Sequence, residues 1–212
     1  MLPVEDAAVI PVIVATVVGA ARFRQLPPAL RGVAILVFCE LFIEVLSRGM
    51  AAWQGSNLVI LSVDTLLEFV LLAWVYHRAL APSASSRWLG GVVVVFALGS
   101  LLSYLEPTGF IRFNTVQRFI ESLLVLLLVI QYFIKVIREL VIIRLERDPM
   151  FWVSVGLLLY FCGNVFIFIS SNYVVQRSEA LGVKLWAIHA ILYMVLNGFY
   201  AVALWITPSI RK

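Results

Sequence analysis

Long apolar runs alternate with short segments containing charged residues, proline or glycine along almost the whole chain. Seven of these runs are each close to the roughly 20 apolar residues that an α-helix needs to cross a bilayer. They cover residues 5–23, 30–49, 57–78, 88–105, 115–138, 150–172 and 184–206. The pattern predicts an all-α polytopic membrane protein in which residues 1–212 form a single domain, a seven-transmembrane-helix bundle.

The composition agrees with a chain that is surrounded mostly by lipid. Hydrophobic residues make up 63% of the 212 residues and charged residues only 13%, against about a quarter charged in a soluble domain. Little sequence lies outside the seven runs, which excludes a built-in kinase, nuclease or ATPase domain of about 100 residues. The net charge of +4 is typical of basic loops beside a membrane, so we expect the lipid bilayer as partner and no nucleic acid.

Lysine and arginine are distributed unequally between the two sides of the predicted bundle. One side has eleven of the 16: Arg22, Arg24, Arg31, Arg78, Arg87, Lys135, Arg138, Arg144, Arg147, Arg211 and Lys212. The other side has five: Arg48, Arg112, Arg118, Arg177 and Lys184. Because basic residues accumulate in cytoplasmic loops, we expect the N-terminus outside and the C-terminus in the cytoplasm, in a multi-pass protein of the cell inner (cytoplasmic) membrane.

The fifth run is followed by a mixed charged and apolar segment, residues 135–147. An unbroken helix from Asn114 to Arg147 would be about 50 Å long, against a hydrocarbon core of about 30 Å. The sequence therefore predicts a cytoplasmic extension of several turns. It is either an amphipathic stretch at the headgroups or a docking surface for a partner.

Polar and ionisable side chains lie inside the predicted spans, where burial is costly, so that each is a hypothesis for a functional site. They recur three or four residues apart, which places them on common helix faces. The predicted ligand-binding set is Glu40, Glu44 and Arg48 of span two, Asp64 and Glu68 of span three, Arg118 and Glu121 of span five, Asn164 of span six, and His189, Tyr193 and Asn197 of span seven. Most of them belong to the outer half, so we expect an outward-opening acidic cavity with Arg48 at its rim.

The charges of this set do not balance. Five carboxylates, set against two arginines, leave three surplus negative groups, which must hold protons, meet a cation or face water. In a purely structural alternative, the two arginines neutralise two acids and bind the helices together. The inner halves of the spans contain no ionisable side chain over residues 33–38, 69–75, 91–98 and 124–130. We therefore expect no polar path across the whole bilayer, which favours a receptor over a transporter.

Several chemistries lack the residues that they require. The last span has only Lys184, at its outer mouth, and so no deep lysine for a retinal Schiff base. The two histidines do not form the motif of a seven-span zinc hydrolase, and a metal ion at the acidic site is the weaker alternative to an organic ligand. No serine nucleophile elbow, phosphate-binding glycine loop or paired-cysteine motif occurs. No cofactor is indicated, and a non-enzymatic role is favoured.

The final third of the chain contains scattered aromatic, glycine and asparagine residues in three stretches. They are DPMFWVSVGLLLYFCGNVFIF at 148–168, SSN at 170–172 and LWAIHAILYMVLNG at 185–198. These stretches resemble the last two helices of uncharacterised seven-helix membrane sensor regions of Bacteroidetes-type bacteria, which occur alone or ahead of histidine kinases. The resemblance implies a sensory role, with any kinase on another polypeptide.

These observations predict a membrane-embedded sensory or accessory subunit. It would bind a small polar or cationic ligand in the outward-facing acidic cavity and signal along span five to a cytoplasmic partner such as a histidine kinase. One alternative is a proton- or cation-coupled transporter that uses the same acids. A second is an intramembrane carboxylate-dependent lipid hydrolase or lyase. Assembly as a homo-oligomer stays open.

Overall fold

The computed structural model describes residues 7–54, 58–81, 85–105, 115–139, 144–177 and 179–208. Within these ranges the chain is all helical, with seven α-helices, two short 3₁₀ turns and no β-strand. The helices are α1 (Val9–Arg22), α2 (Pro28–Gln54), α3 (Leu58–Leu80), α4 (Ser85–Leu105), α5 (Thr115–Glu139), α6 (Pro149–Arg177) and α7 (Glu179–Ile206). They coincide with the seven predicted apolar runs, so the all-α class is confirmed.

Four helices of the described ranges are long and apolar enough to cross a membrane. Their apolar segments are Ile60–Leu80 of α3, Val116–Arg138 of α5, Pro149–Ile167 of α6 and Leu181–Ile206 of α7. Helix α4 contains a shorter apolar segment, Trp88–Leu102, and α1 has only 14 residues. The crossing of a membrane by α1, α2 and α4, and the direction of the chain, remain predictions.

Six helices pack in a closed ring, in the order α1, α2, α3, α5, α6, α7 and back to α1. Helix α4 packs against α3. The interface between α6 and α7 is close because glycines face the neighbouring helix. A Cβ on Gly156 would lie 2.8 Å from Cβ of Phe199, and a Cβ on Gly163 would lie 2.4 Å from Cδ1 of Leu192. Small residues of this kind let membrane helices approach until their backbones nearly touch.

The ring buries large apolar side chains and exposes others on its outer face. Phe69, Tyr76 and Leu157 are fully buried, whereas Val95 and Phe166 are more than two-thirds exposed. Apolar side chains on the outside would be costly in water, but they are at no disadvantage against lipid tails. This distribution is what a bundle embedded in a membrane requires.

The C-terminal ends of α1, α3, α5 and α7 share one end of the ring, which we call the Lys135 end. Arg22 of α1 donates hydrogen bonds to carbonyls at the end of α7, including Leu204 O at 3.0 Å. Lys135 Nζ of α5 donates to the carbonyl of Ala79, in the last turn of α3, at 3.1 Å and to that of Ala81, just past its end, at 3.3 Å. Cations at these positions also interact favourably with the negative ends of the helix dipoles.

The unbroken helix predicted from residue 114 to residue 147 is wrong. Helix α5 ends at Glu139, and residues 140–143 lie outside the described ranges. Arg144 has extended backbone, with φ −134° and ψ 94°, and Leu145–Arg147 form a 3₁₀ turn. The segment 135–147 therefore does not form a continuous helical extension.

The physical reason lies in the contacts of Asp148, just before α6. Its Oδ1 accepts a hydrogen bond from the backbone N–H of Met150 at 3.0 Å, as a helix N-cap does, with Pro149 in the favoured first helical position. Its Oδ2 accepts a hydrogen bond from the Tyr132 hydroxyl of α5. Because Asp148 binds both helices, the chain turns back beside α5 instead of continuing the helix.

Candidate functional site

Arg118 lies at the centre of a group of carboxylates contributed by α3 and α5. Its Nη2 contacts Asp64 Oδ2 at 2.8 Å, and its Nη1 contacts Glu68 Oε2 at 2.9 Å and Glu121 Oε2 at 3.3 Å. The arginine side chain is 13% exposed, and Glu121 is fully buried. One-turn spacing puts each pair on one helix face, and the packing of α3 on α5 brings the two faces together.

Glu40 of α2, the helix next to α3 in the ring, joins this group. Tyr193 of α7 donates a hydrogen bond from its hydroxyl to Glu40 Oε2 at 3.2 Å. Glu40 is also close enough to Asp64 and Glu68 to interact with them electrostatically. We call the five residues Glu40, Asp64, Glu68, Arg118 and Glu121 the acidic cluster.

Helices α6 and α7 contribute a neighbouring polar and aromatic group. His189 Nδ1 and Asn164 Oδ1 are 2.9 Å apart, a hydrogen bond in which the ring nitrogen is the donor. The ring of Tyr160 lies 5.8 Å from the ring of His189 and 6.2 Å from the ring of Tyr193. Asn197 donates to the backbone carbonyl of Tyr193 at 3.2 Å. The predicted polar residues of spans six and seven therefore lie together and reach Glu40 through Tyr193.

Glu44 and Arg48 pair with each other, at 2.6 Å, with side chains 31% and 45% exposed. Helix geometry gives the reason. Each step of four residues turns about 40° further around the helix, so the face that starts at Glu40 drifts away from the ring interior. These two residues belong to the predicted set, but they form a separate and more exposed pair.

Five buried polar atoms have no hydrogen-bond partner within the described part of the chain. They are Glu40 Oε1, Glu121 Oε1, Asn164 Nδ2, Asn197 Oδ1 and Tyr200 OH. A buried polar atom is costly unless it binds a proton, a water or a ligand, and two of these atoms are carboxylate oxygens. The two carboxylate oxygens therefore mark the places where the acidic cluster can bind a proton, a water or a ligand.

The acidic cluster contains more carboxyl groups than cations. Four carboxylates and one guanidinium give a formal charge of −3 if all are ionised. Among the described residues, no three His, Cys, Asp or Glu side chains are placed to hold a metal ion. Several carboxyl groups beside one another can bind protons or a small organic cation, which needs no ordered coordination.

The expectation of no polar path through the inner half stays a prediction, but the described residues include buried hydroxyls there. Towards the Lys135 end, the hydroxyls of Tyr76 and Ser154 lie 2.8 Å apart, and both residues are fully buried. Tyr200 is fully buried as well. The sequence argument considered only ionisable carboxylates and bases and so missed these hydroxyls. The available signal was the spacing of Tyr200, which continues the face of Tyr193 and Asn197 by one turn.

No protein-family model, no curated protein and no solved structure matches the chain. The fold and the site are therefore interpreted from the geometry of this chain alone. The resemblance of its final third to bacterial sensor regions stays an expectation.

Proposed function

We propose that this protein is a membrane-embedded sensory or accessory subunit that binds a small cationic ligand at the acidic cluster and signals to a cytoplasmic partner. The observation that carries the proposal is the surplus of buried carboxyl groups around Arg118. Two cluster oxygens, on Glu40 and Glu121, have no partner in the described part of the chain. A ligand ammonium group would supply both the missing charge and the missing hydrogen-bond donors.

Helix α5 provides a direct route from the cluster to the far end of the bundle. Arg118 and Lys135 are separated by 17 residues, or about 25 Å of helix. At the far end, Tyr132 binds Asp148, and Lys135 binds the end of α3. A ligand that favours one position of α5 would therefore also shift these contacts. In the proposed orientation this end faces the cytoplasm, where the exposed Arg144 and its basic neighbours would attract an acidic partner surface.

The experiment is a stabilisation assay on the purified full chain with tetramethylammonium, ethylammonium and Na⁺ as probes. A probe at 100 times its dissociation constant should stabilise the protein by about 2.7 kcal/mol. We expect stabilisation by at least one ammonium probe and its loss in Glu40→Gln and Glu68→Gln. The matched control is Glu44→Gln, which removes the same charge from the exposed pair. Stabilisation by no probe, or equal losses in all three variants, would refute the proposal.

A second candidate is a proton- or cation-coupled transporter that uses the same carboxylates. The specific observation in its favour is the presence of buried hydroxyls beyond the cluster, since a transporter needs polar groups along its route. Flux assays in liposomes separate the two functions. Movement of an ammonium probe across the bilayer that Glu68→Gln abolishes favours the transporter. No movement of the probe, together with co-purification of a signalling protein through residues 135–147, favours the receptor.

A further inference from the structure

We propose that a row of buried hydroxyl groups forms a proton path between the acidic cluster and Asp148 at the Lys135 end. The row consists of Tyr200, Tyr76, Ser154 and Tyr132, which lie on four different helices of the ring. This activity goes beyond ligand binding, which does not require it. In the transporter, the second candidate function, the transported ion would be the proton and the row would be its route.

The row begins at Tyr200, three residues after Asn197 on α7. Tyr200 is fully buried, and its hydroxyl has no hydrogen-bond partner in the described ranges. It interacts electrostatically with Glu40, Glu68, Tyr76 and Tyr160. A buried hydroxyl in this position can accept a proton from a water on one side and donate its own on the other.

The middle of the row is the pair formed by Tyr76 and Ser154. The two oxygens lie 2.8 Å apart, and either hydroxyl can be the donor. Both side chains are fully buried. Tyr76 follows Glu68 by eight residues on α3, or about 12 Å along the helix. The pair therefore extends the row well past the cluster, beside residues 69–75 of α3, which include no acidic or basic side chain.

The row ends at Asp148, where the bundle meets solvent. The rings of Tyr76 and Tyr132 have centroids 6.4 Å apart, and the Tyr132 hydroxyl donates to Asp148 Oδ2. Asp148 is half-buried and follows Arg147, which is exposed. A proton that arrives here can leave to water.

The proton balance of the path is simple. A carboxylic acid of the cluster releases one proton, and each hydroxyl accepts a proton on one side while donating its own on the other. The Asp148 carboxylate takes up the last proton and gives it to water. No hydroxyl stays ionised, no bond other than O–H is broken, and each hydroxyl then rotates back. Waters complete the row where neighbouring hydroxyls are not in direct contact.

The alternative is that these hydroxyls only tie helices together. The pair of Tyr76 and Ser154 joins α3 to α6, and each buried hydrogen bond of this kind stabilises a protein by about 1 kcal/mol. That role does not account for Tyr200, whose hydroxyl binds nothing in the described ranges and contributes no such tie. A purely structural row would also have no reason to extend from a cluster with surplus carboxylates to a carboxylate at the solvent.

The test is proton flux in proteoliposomes that contain a pH-sensitive dye, driven by a potassium diffusion potential. Removing one hydroxyl breaks one link, so Tyr76→Phe and Tyr200→Phe should each lower the flux about tenfold, the change that corresponds to one hydrogen bond. The control is Thr16→Val, which removes a buried hydroxyl that bonds Val37 O outside the row. Absence of flux in the unmodified protein, or equal flux in all variants, would overturn the proposal.

Two additions keep the result interpretable. The double variant Tyr76→Phe/Ser154→Ala removes both polar atoms of the pair and leaves no unpaired hydroxyl, so it should fold and should still lose the flux. Tetramethylammonium stabilisation of the same variants tests ligand binding separately. Lost flux with retained stabilisation supports the path. Retained stabilisation with unchanged flux refutes the path alone, and flux without any stabilisation refutes the ligand proposal alone.

Discussion

Replacing Arg118 with alanine should destabilise the bundle severely. The change removes the only cation that the described residues place among Asp64, Glu68 and Glu121, at 2.8, 2.9 and 3.3 Å. Breaking a buried ion pair by removing one partner costs about 3–5 kcal/mol, because the remaining charge is left without compensation. For a chain of this length, such a loss lowers the melting temperature by on the order of 10 °C.

The matched control for this prediction is Arg48→Ala. Arg48 is 45% exposed and pairs with Glu44 at 2.6 Å, and an exposed pair of this spacing contributes only about 0.5 kcal/mol. The assay is unfolding of both purified variants in detergent, followed by circular dichroism. Adding Glu68→Gln to Arg118→Ala should recover part of the loss, because one uncompensated charge is then removed. The reasoning is refuted if Arg118→Ala is no more destabilising than Arg48→Ala.

Three further predictions concern packing, capping and direction. Gly156→Ala should lower the free energy of unfolding by about 1–3 kcal/mol, because the new Cβ would overlap a side chain of α7. The control is Gly99→Ala, whose Cβ would meet nothing within 4 Å and which should be neutral or stabilising in the same unfolding assay. Asp148→Ala should cost about 1–2 kcal/mol through loss of the α6 N-cap, and an unchanged melting temperature would contradict this. The orientation can be tested with a membrane-impermeant thiol reagent on intact cells that express a variant without the native cysteines. The reagent should label Trp53→Cys and not Glu146→Cys, because both positions are exposed and they lie on opposite predicted sides of the membrane. The reverse labelling pattern would show that the orientation is opposite to the predicted one.

The helices and part of the site could be predicted from the sequence. Hydropathy alone places the seven helices, because lipid-facing helices are apolar over their whole length. The spacing of Asp64 and Glu68 predicts one shared face, and the structure indeed directs both to Arg118. The partner of that face could not be predicted, since no sequence pattern says that α3 packs on α5 as well as on α4. The separation of Glu44 and Arg48 from the cluster also depends on how α2 is rotated in the ring.

The polar contacts in the inner half of the bundle could not be predicted from the sequence. A search for charged residues finds nothing there, yet Tyr76 and Ser154 pair in the core. Tyrosine and serine are common in helices of every kind, so only the packing of α3 against α6 shows that these two meet. The end of α5 could not be predicted either, because it depends on the contact of Asp148 with Tyr132 across a turn.

The stability of the ring does not explain the acidic cluster. One carboxylate would suffice to balance Arg118, and replacing buried ionic groups by apolar ones is often neutral or stabilising. The surplus acids thus lower the stability of the bundle, and the close packing of α6 and α7 and the apolar core must offset this loss. Such a loss of stability is expected at a site that binds a proton or a cation. If both proposals hold, the two ligands compete for the same carboxylates. A cation that enters the cluster displaces protons, and the hydroxyl row leads those protons to Asp148, the residue that caps α6. Cation binding and protonation of the cluster carboxylates would then be reciprocally coupled, each changing the affinity for the other by the same factor.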